Sequence, residues 1–232
     1  MNNVFTSSIG KKLIMSITGT CLVLFLLFHM SMNIVAIIKP EWYNSICAFL
    51  GVNWYAIIGT LVLAGGFGLH ILFALLLTLY NRKARGSNRY STTAVPKQVS
   101  WASQNMFVIG LVVALGLLLH FSQFWYKMQF AELMGNHEIK LGENLVSPTS
   151  GSAFIAYYFS NILFVVVYLV WLAALWFHIS HGFWSALQTA GWNNEIWLPR
   201  LKFAANIFAT FVCLGFAAVI ITFYIKSLLG CC

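Results

Sequence analysis

Charged side chains are scarce in this sequence. Asp, Glu, Lys and Arg make up 8% of its 232 residues, whereas about a quarter is usual in a soluble domain. The charges are clustered, and they are absent from 13–38, 42–81, 98–126, 144–194 and 203–225. A helix that crosses a bilayer needs roughly 20 mostly apolar residues, so each of these stretches can hold one. The composition excludes an ordinary soluble protein and predicts an integral membrane protein.

Several chemical motifs are missing as well. There is no Gly-rich phosphate loop, no Walker sequence and no cysteine cluster suited to iron–sulfur ligation. The five cysteines form neither C-x-x-C nor the C-x-x-C-H of covalent haem attachment. The connections 81–100 and about 127–152 are too short to fold independently. Any redox or hydrolytic chemistry at the membrane surface is therefore expected from another subunit.

The uncharged stretches predict an all-α chain with five transmembrane helices in one domain over 1–232. We expect these helices at about 13–38, 53–80, 101–126, 153–187 and 203–226. The first apolar stretch is too long for a signal peptide and no small-residue cleavage site follows it, so we expect it to be retained.

The basic residues predict how the chain is oriented. With the N-terminus inside, nine Lys and Arg and one Glu lie inside, which gives 9 − 1 = +8, and four of each sign lie outside, which gives 4 − 4 = 0. The positive-inside rule then predicts an N-in, C-out topology. The basic inner face suits membrane lipid or a partner, and nothing indicates nucleic-acid binding. The inner basic residues are Lys11, Lys12, Arg82, Lys83, Arg85, Arg89, Lys97, Arg200 and Lys202.

Five of the six histidines lie within predicted spans that contain neither Asp nor Glu. Ionisable rings are costly in hydrocarbon and usually mark function there. A proton-coupled transporter usually brings carboxylates into the membrane, and here they are missing. These histidines are His29, His70, His120, His178 and His181.

The depths of these histidines can be estimated from the rise of a helix. His29 lies about 25 Å and His120 about 30 Å from the inner boundary. His70 lies about 18 Å from it, His178 about 15 Å and His181 about 10 Å. Depth therefore predicts an outer pair, His29 with His120, and an inner pair of His70 with either His178 or His181.

Two imidazoles that face each other from different helices suit bis-histidine haem b, in which both imidazoles ligate one iron. The two pairs therefore predict two haems in a four-helix core, with the fifth helix beside it. Glycines one helical turn from these histidines would let a flat group approach the backbone, although glycine in membrane helices also serves close packing. They are Gly66, Gly116 and Gly182.

Four segments of the chain resemble one known family. They are "KKLIMSITG" with "FHM", "HILFALLLTLYNRKAR", "GLLLH" and "HISHGFWSALQTAGW". Over nearly its whole length the sequence resembles the large cytochrome b subunit of succinate:quinone oxidoreductases, in the five-helix, two-haem type shared by succinate dehydrogenases and fumarate reductases. In that family a histidine is followed four residues later by glycine and an aliphatic or aromatic residue. His178, Gly182 and Phe183 match this pattern, and His181 does not.

The resemblance implies a set of site residues. His29 and His120 would ligate the outer haem b, and His70 and His178 the inner one. A helix-one serine that approaches a haem propionate in the family corresponds to Ser16, although a packing role for Ser16 is equally open. His181, one turn nearer the inner surface than His178, is expected close to a propionate or a quinone.

The resemblance also implies a function. The chain would be a non-catalytic electron-transfer subunit of an oxidoreductase, and it would anchor a flavoprotein subunit with FAD and an iron–sulfur subunit to the bacterial cytoplasmic (inner) membrane. Electrons would pass through its two haems to or from a quinone, by analogy menaquinone. The inner loops 81–100 and 188–202 would dock the iron–sulfur subunit, unless their charges serve only as anchors.

One departure and two alternatives stay open. Some menaquinol-oxidising members carry a glutamate two positions before the helix-four ligand, and Trp176 stands there in this chain. A proton path of that design is therefore not expected. The alternatives are a dihaem anchor of a formate dehydrogenase or hydrogenase, and a haem-free membrane scaffold or transporter.

Overall fold

A computed structural model describes residues 7–85, 101–192 and 194–230. Within this part, five helices are long and apolar enough to cross a membrane. They are Ile9–Ile38, Trp54–Lys83, Trp101–Leu133, Ile162–Thr189 and Trp197–Leu228. The predicted class, an all-α chain with five membrane-spanning helices, is confirmed. Most of the inner loop 81–100, with Arg89 and Lys97, lies outside the described residues.

The secondary structure follows the chain in a simple order. The helices are α1 (Ser8–Ile38), α2 (Pro40–Phe49), α3 (Trp54–Arg85), α4 (Trp101–His120), α5 (Gly151–Phe159), α6 (Ile162–Thr189) and α7 (Trp197–Leu228). After α4 the chain continues as a π-helix, Phe121–Phe130, and one α-helical turn, Ala131–Leu133. An antiparallel hairpin of β1 (Ile139–Leu141) and β2 (Asn144–Val146) precedes α5, with Lys140 opposite Leu145.

The fourth span differs from the single helix expected over 153–187. Two helices, α5 and α6, share this stretch, and Asn161 separates them in a non-helical conformation with φ −95° and ψ 119°. Its side-chain oxygen accepts a hydrogen bond from the Leu163 backbone N–H at 2.9 Å. Asparagine is a favoured N-cap because its side chain satisfies such an N–H. Apolar composition alone did not reveal this break.

The five spanning helices pack unevenly. α6 and α7 pack along much of their length and α1 contacts both of them, whereas α3 packs mainly against α1 and α4 against α6. The tightest part of the core uses small residues, Ala36, Ala205 and Ala209, all with 0% exposure. Small side chains let membrane helices approach closely. Large apolar residues such as Leu61 and Leu118 are exposed, as expected for surfaces that face lipid.

The short helix α2 was not predicted, and it is fastened to α5. The Asn44 side-chain oxygen accepts a hydrogen bond from the Ser152 N–H at 2.9 Å. Tyr43 is buried and donates its hydroxyl to Asn33 Oδ1 at 3.2 Å. Burial also raises the pKa of the neighbouring Cys47 thiol to about 11, so this cysteine stays a neutral packing group at physiological pH. The contact between α2 and α5 requires glycine at position 151, because a Cβ there would lie 2.7 Å from the Tyr43 ring.

We therefore expect Gly151→Ala to destabilise the protein by about 1–3 kcal/mol, the usual cost of overpacking. The matched control is Gly59→Ala, because a Cβ at Gly59 meets nothing within 4 Å and alanine is the better helix former. Thermal unfolding in detergent measures both variants. Equal stability of the two would contradict the packing described for α2 and α5.

Candidate functional site

The outer histidine pair joins α1 to α4. The rings of His29 and His120 lie edge to face, with centroids 5.9 Å apart and planes at 79°. Phe25 stacks on His29 at 5.4 Å, and Phe216 of α7 lies 5.7 Å from it. The two imidazoles that depth analysis assigned to one level are therefore side by side in an aromatic environment.

The surroundings of His120 are aromatic with one polar pair. Its ring lies 5.1 Å from Phe124, 6.4 Å from Tyr168 and 5.9 Å from Trp171. Tyr168 is buried and donates its hydroxyl to Oε1 of buried Gln123 at 2.7 Å. The buried Nδ1 of His120 has no hydrogen-bond partner among the described residues. A nitrogen in that position is uncommon and calls for an explanation.

The inner pair joins α3 to α6. The rings of His70 and His178 lie 6.2 Å apart at an interplanar angle of 73°. The hydroxyl of Thr18 lies 3.2 Å from His70 Nδ1 and donates to the Ile14 carbonyl at 2.8 Å. A hydroxyl has a single proton. When that proton is donated to Ile14, the hydroxyl accepts from Nδ1–H of His70, and the lone pair of that tautomer is on Nε2.

A glycine of a neighbouring helix lies beside each inner ring. A Cβ at Gly19 of α1 would lie 3.2 Å from His70 Cε1, and one at Gly110 of α4 would lie 3.6 Å from His178 Cε1. The first distance is tighter than ordinary contact and the second is ordinary. Helix α1 therefore approaches His70 closely because residue 19 has no side chain.

The three glycines singled out in the sequence have different surroundings. A Cβ at Gly66 or Gly182 would meet nothing within 4 Å, so open space adjoins the backbone at both positions. At Gly116, by contrast, a Cβ would collide with the indole of Trp171. The expectation that Gly116 makes room for a flat ligand is therefore not what the structure shows, since a tryptophan from α6 fills that place.

His181 and Ser16 lie near the inner end of α6. The ring of His181 contacts Trp184, with centroids 4.9 Å apart, and its buried Nδ1 has no hydrogen-bond partner among the described residues. Ser16 donates its hydroxyl to the Ala186 carbonyl at 2.9 Å. This bond ties α1 to α6 and gives Ser16 a structural role. Its predicted approach to a propionate, like the predicted vicinity of His181 to a propionate or quinone, stays a prediction.

Sequence reasoning missed the residues that support the histidines. Thr18 and Gln123 are polar side chains inside apolar stretches, which is a detectable signal, because such groups are costly in a membrane unless they are bonded. Trp171 offered no such signal, because many tryptophans occur in this chain. Its importance follows from a contact with Gly116, 55 positions away in the sequence.

The Tyr168–Gln123 bond yields a prediction. Tyr168→Phe leaves the buried Gln123 amide without its partner and should cost about 1–3 kcal/mol. Adding Gln123→Leu removes the unsatisfied group, so the double variant should recover part of that loss. Unfolding free energies of the wild type, both single variants and the double variant measure the coupling. Strictly additive effects would contradict a bond between these two side chains.

The membrane histidines form pairs of rings and not clusters. Among the described residues no three His, Cys, Asp or Glu side chains converge as metal ligands, so the spanning histidines pair rather than cluster. Comparison with known proteins finds no matching family model, no matching characterised protein and no matching solved structure.

Proposed function

We propose that this chain is a dihaem cytochrome b membrane anchor of a succinate:quinone oxidoreductase, either a succinate dehydrogenase or a quinol:fumarate reductase. The observation that carries the proposal is the pairing of four histidines from four helices at two levels, His29 with His120 and His70 with His178. Each pair of imidazoles would hold one haem b iron, since histidine is a common protein ligand of haem iron. A bound haem b supplies an iron that accepts and releases one electron.

The donor set fits that group. The apolar rings around His29 and His120 would give a bound haem a dry environment. Nδ1 of His120 and of His178 is buried without a partner among the described residues, so neither imidazole is committed to a hydrogen bond at that atom. The Thr18 hydroxyl lies 3.2 Å from His70 Nδ1, so Nε2 is the nitrogen with which His70 would hold the iron.

The other parts of the proposed complex follow from what the chain lacks. It has no motif for FAD or for iron–sulfur clusters, so a flavoprotein subunit and an iron–sulfur subunit would carry those cofactors and the dicarboxylate chemistry. This chain would move electrons between the iron–sulfur subunit and membrane quinone, with menaquinone as the proposed species. It would itself be a non-catalytic subunit.

The proposed orientation is N-in, C-out in a bacterial cytoplasmic membrane. Basic side chains lie over aromatic rings near both ends of the spanning helices. The pairs at the proposed inner end are Lys11 over Tyr80, Arg200 over Trp197 and Lys202 over Trp184, and those at the proposed outer end are Lys39 over Trp42, Lys127 over Tyr158 and Lys226 over Phe223. Aromatic and basic residues are enriched at membrane–water interfaces, so these pairs support an interface at each end, and the excess of basic residues on one side supports the orientation. Residues 188–202, with the loop after α3, would then meet the iron–sulfur subunit.

A spectrum tests the central claim. The intact complex should contain two non-covalent b haems per copy of this chain, because two separate histidine pairs are present. Pyridine haemochrome quantification and a reduced-minus-oxidised spectrum measure this. Zero or one haem would overturn the proposal, and zero would favour the haem-free scaffold. Two haems with co-purifying formate dehydrogenase or hydrogenase subunits would favour the other respiratory anchor.

A matched pair of substitutions tests the ligand assignment. His178→Ala should remove the inner haem and largely keep the outer one, because His70 would lose its partner across a ring separation of 6.2 Å. His181→Ala should keep both haems, since its ring contact is with Trp184. Haem content and low-temperature spectra of the two variants measure the difference. The reverse pattern, with His181→Ala losing a haem and His178→Ala keeping two, would refute the assignment.

A further inference from the structure

One face of α4 meets both histidine pairs in turn along its contact with α6. Gly110 lies against the His178 ring, Gly116 lies against the Trp171 indole, and the His120 ring lies 5.9 Å from that indole. These three positions of α4 are spaced by about 9 Å and then about 6 Å along the helix axis. Trp171 therefore stands between the inner and the outer pair on this face.

The indole is held there by two constraints. Its Nε1–H donates to the Val113 carbonyl of α4 at 3.0 Å. In a membrane interior this N–H has no water to bond, so the bond to Val113 fixes the orientation of the ring. The atoms of the indole that carry this bond are also those a side chain at position 116 would strike. Only glycine at 116 allows α4 to lie this close.

We infer that Trp171 is a positioning residue. Its contact with Gly116 holds α4 against α6, and this contact keeps the two histidine pairs apart and positions His120. The helix α6 that carries Trp171 also carries His178, and α4 carries His120. Each helix thus contributes a histidine to a different pair. The contact between Trp171 and Gly116 therefore fixes the position of the outer histidine pair relative to the inner one along the helix axes. The redox part of this inference rests on the proposed function, and the packing part does not.

The test uses the full complex in native membranes and four variants. Trp171→Leu removes both the ring and its N–H, and it should shift the potential of the outer haem or reduce its content while the inner haem is retained. Trp171→Phe loses the N–H and the five-membered ring of the indole but keeps a six-membered aromatic ring, so its shift should be smaller. The matched control is Trp176→Phe on the same helix, whose indole donates instead to Thr210 of α7 at 2.9 Å. The control should leave both potentials unchanged. Gly116→Ala should lower the content of the outer haem, because the added Cβ collides with the Trp171 indole.

Rescue separates a specific contact from general damage. In the Gly116→Ala/Trp171→Leu double variant the collision is gone, so the outer haem content and the thermal stability should rise above those of Gly116→Ala, to the level of Trp171→Leu. Potentiometric titration, haem content and thermal unfolding provide the readouts, with Gly59→Ala as the control for a glycine substitution in a helix. Two results would overturn the inference. One is a double variant whose outer-haem content and thermal stability equal those of Gly116→Ala, and the other is a Trp171→Leu variant whose haem potentials and haem content equal those of the wild type.

Failure of the proposed function gives a different pattern. If the wild-type complex contains no haem, the dihaem proposal fails. The recovery of thermal stability in the double variant then tests only the packing of Trp171 against Gly116. If haem is present and the double variant recovers neither haem content nor thermal stability, the proposed dihaem function is retained and the positioning role of Trp171 is refuted.

Discussion

A neutral imidazole has one N–H to donate and one lone pair, and hydrocarbon offers a partner to neither. Most of the core follows from placing histidines in such a medium. Each paired ring meets a second histidine from another helix and a neighbouring aromatic or glycine surface, as at Phe25 and Gly19. The helices must therefore be arranged so that four of them face each other at two levels. The fifth, α7, closes the side with small residues such as Ala205 and Ala209.

Three other polar side chains hold helices together, because a polar group without a hydrogen-bond partner is costly in this medium. Ser16 links α1 to α6 at the inner end, Tyr168 links α6 to the π-helix near the outer pair, and Trp171 links α6 to α4 between the two pairs. All three bonds converge on α6. That helix is therefore the reference against which the positions of the others are set, and it carries His178 itself.

The class of fold and the pairing of histidines were accessible from the sequence. Uncharged stretches fix the number of spans because lipid tolerates little else, and helical rise converts positions such as His29 and His120 into matching depths. Other features depend on contacts between distant positions. The break at Asn161 and the indole against Gly116 arise from a local cap and a remote packing partner, and hydropathy reports neither. Cofactor, partner subunits and orientation depend on molecules outside this chain, so neither hydropathy nor internal packing specifies them.

The π-helix that begins right after His120 has a consequence for how the sequence can vary. Each of its turns contains more residues than an α-helical turn, and the ten residues Phe121–Phe130 keep this geometry throughout. Loss of one residue within it could be absorbed by a return to α-helical hydrogen bonding. The same deletion between Gly110 and His120 would rotate the outer ring by about 100° away from its partner. Length variation on this side of the molecule should therefore concentrate after position 120.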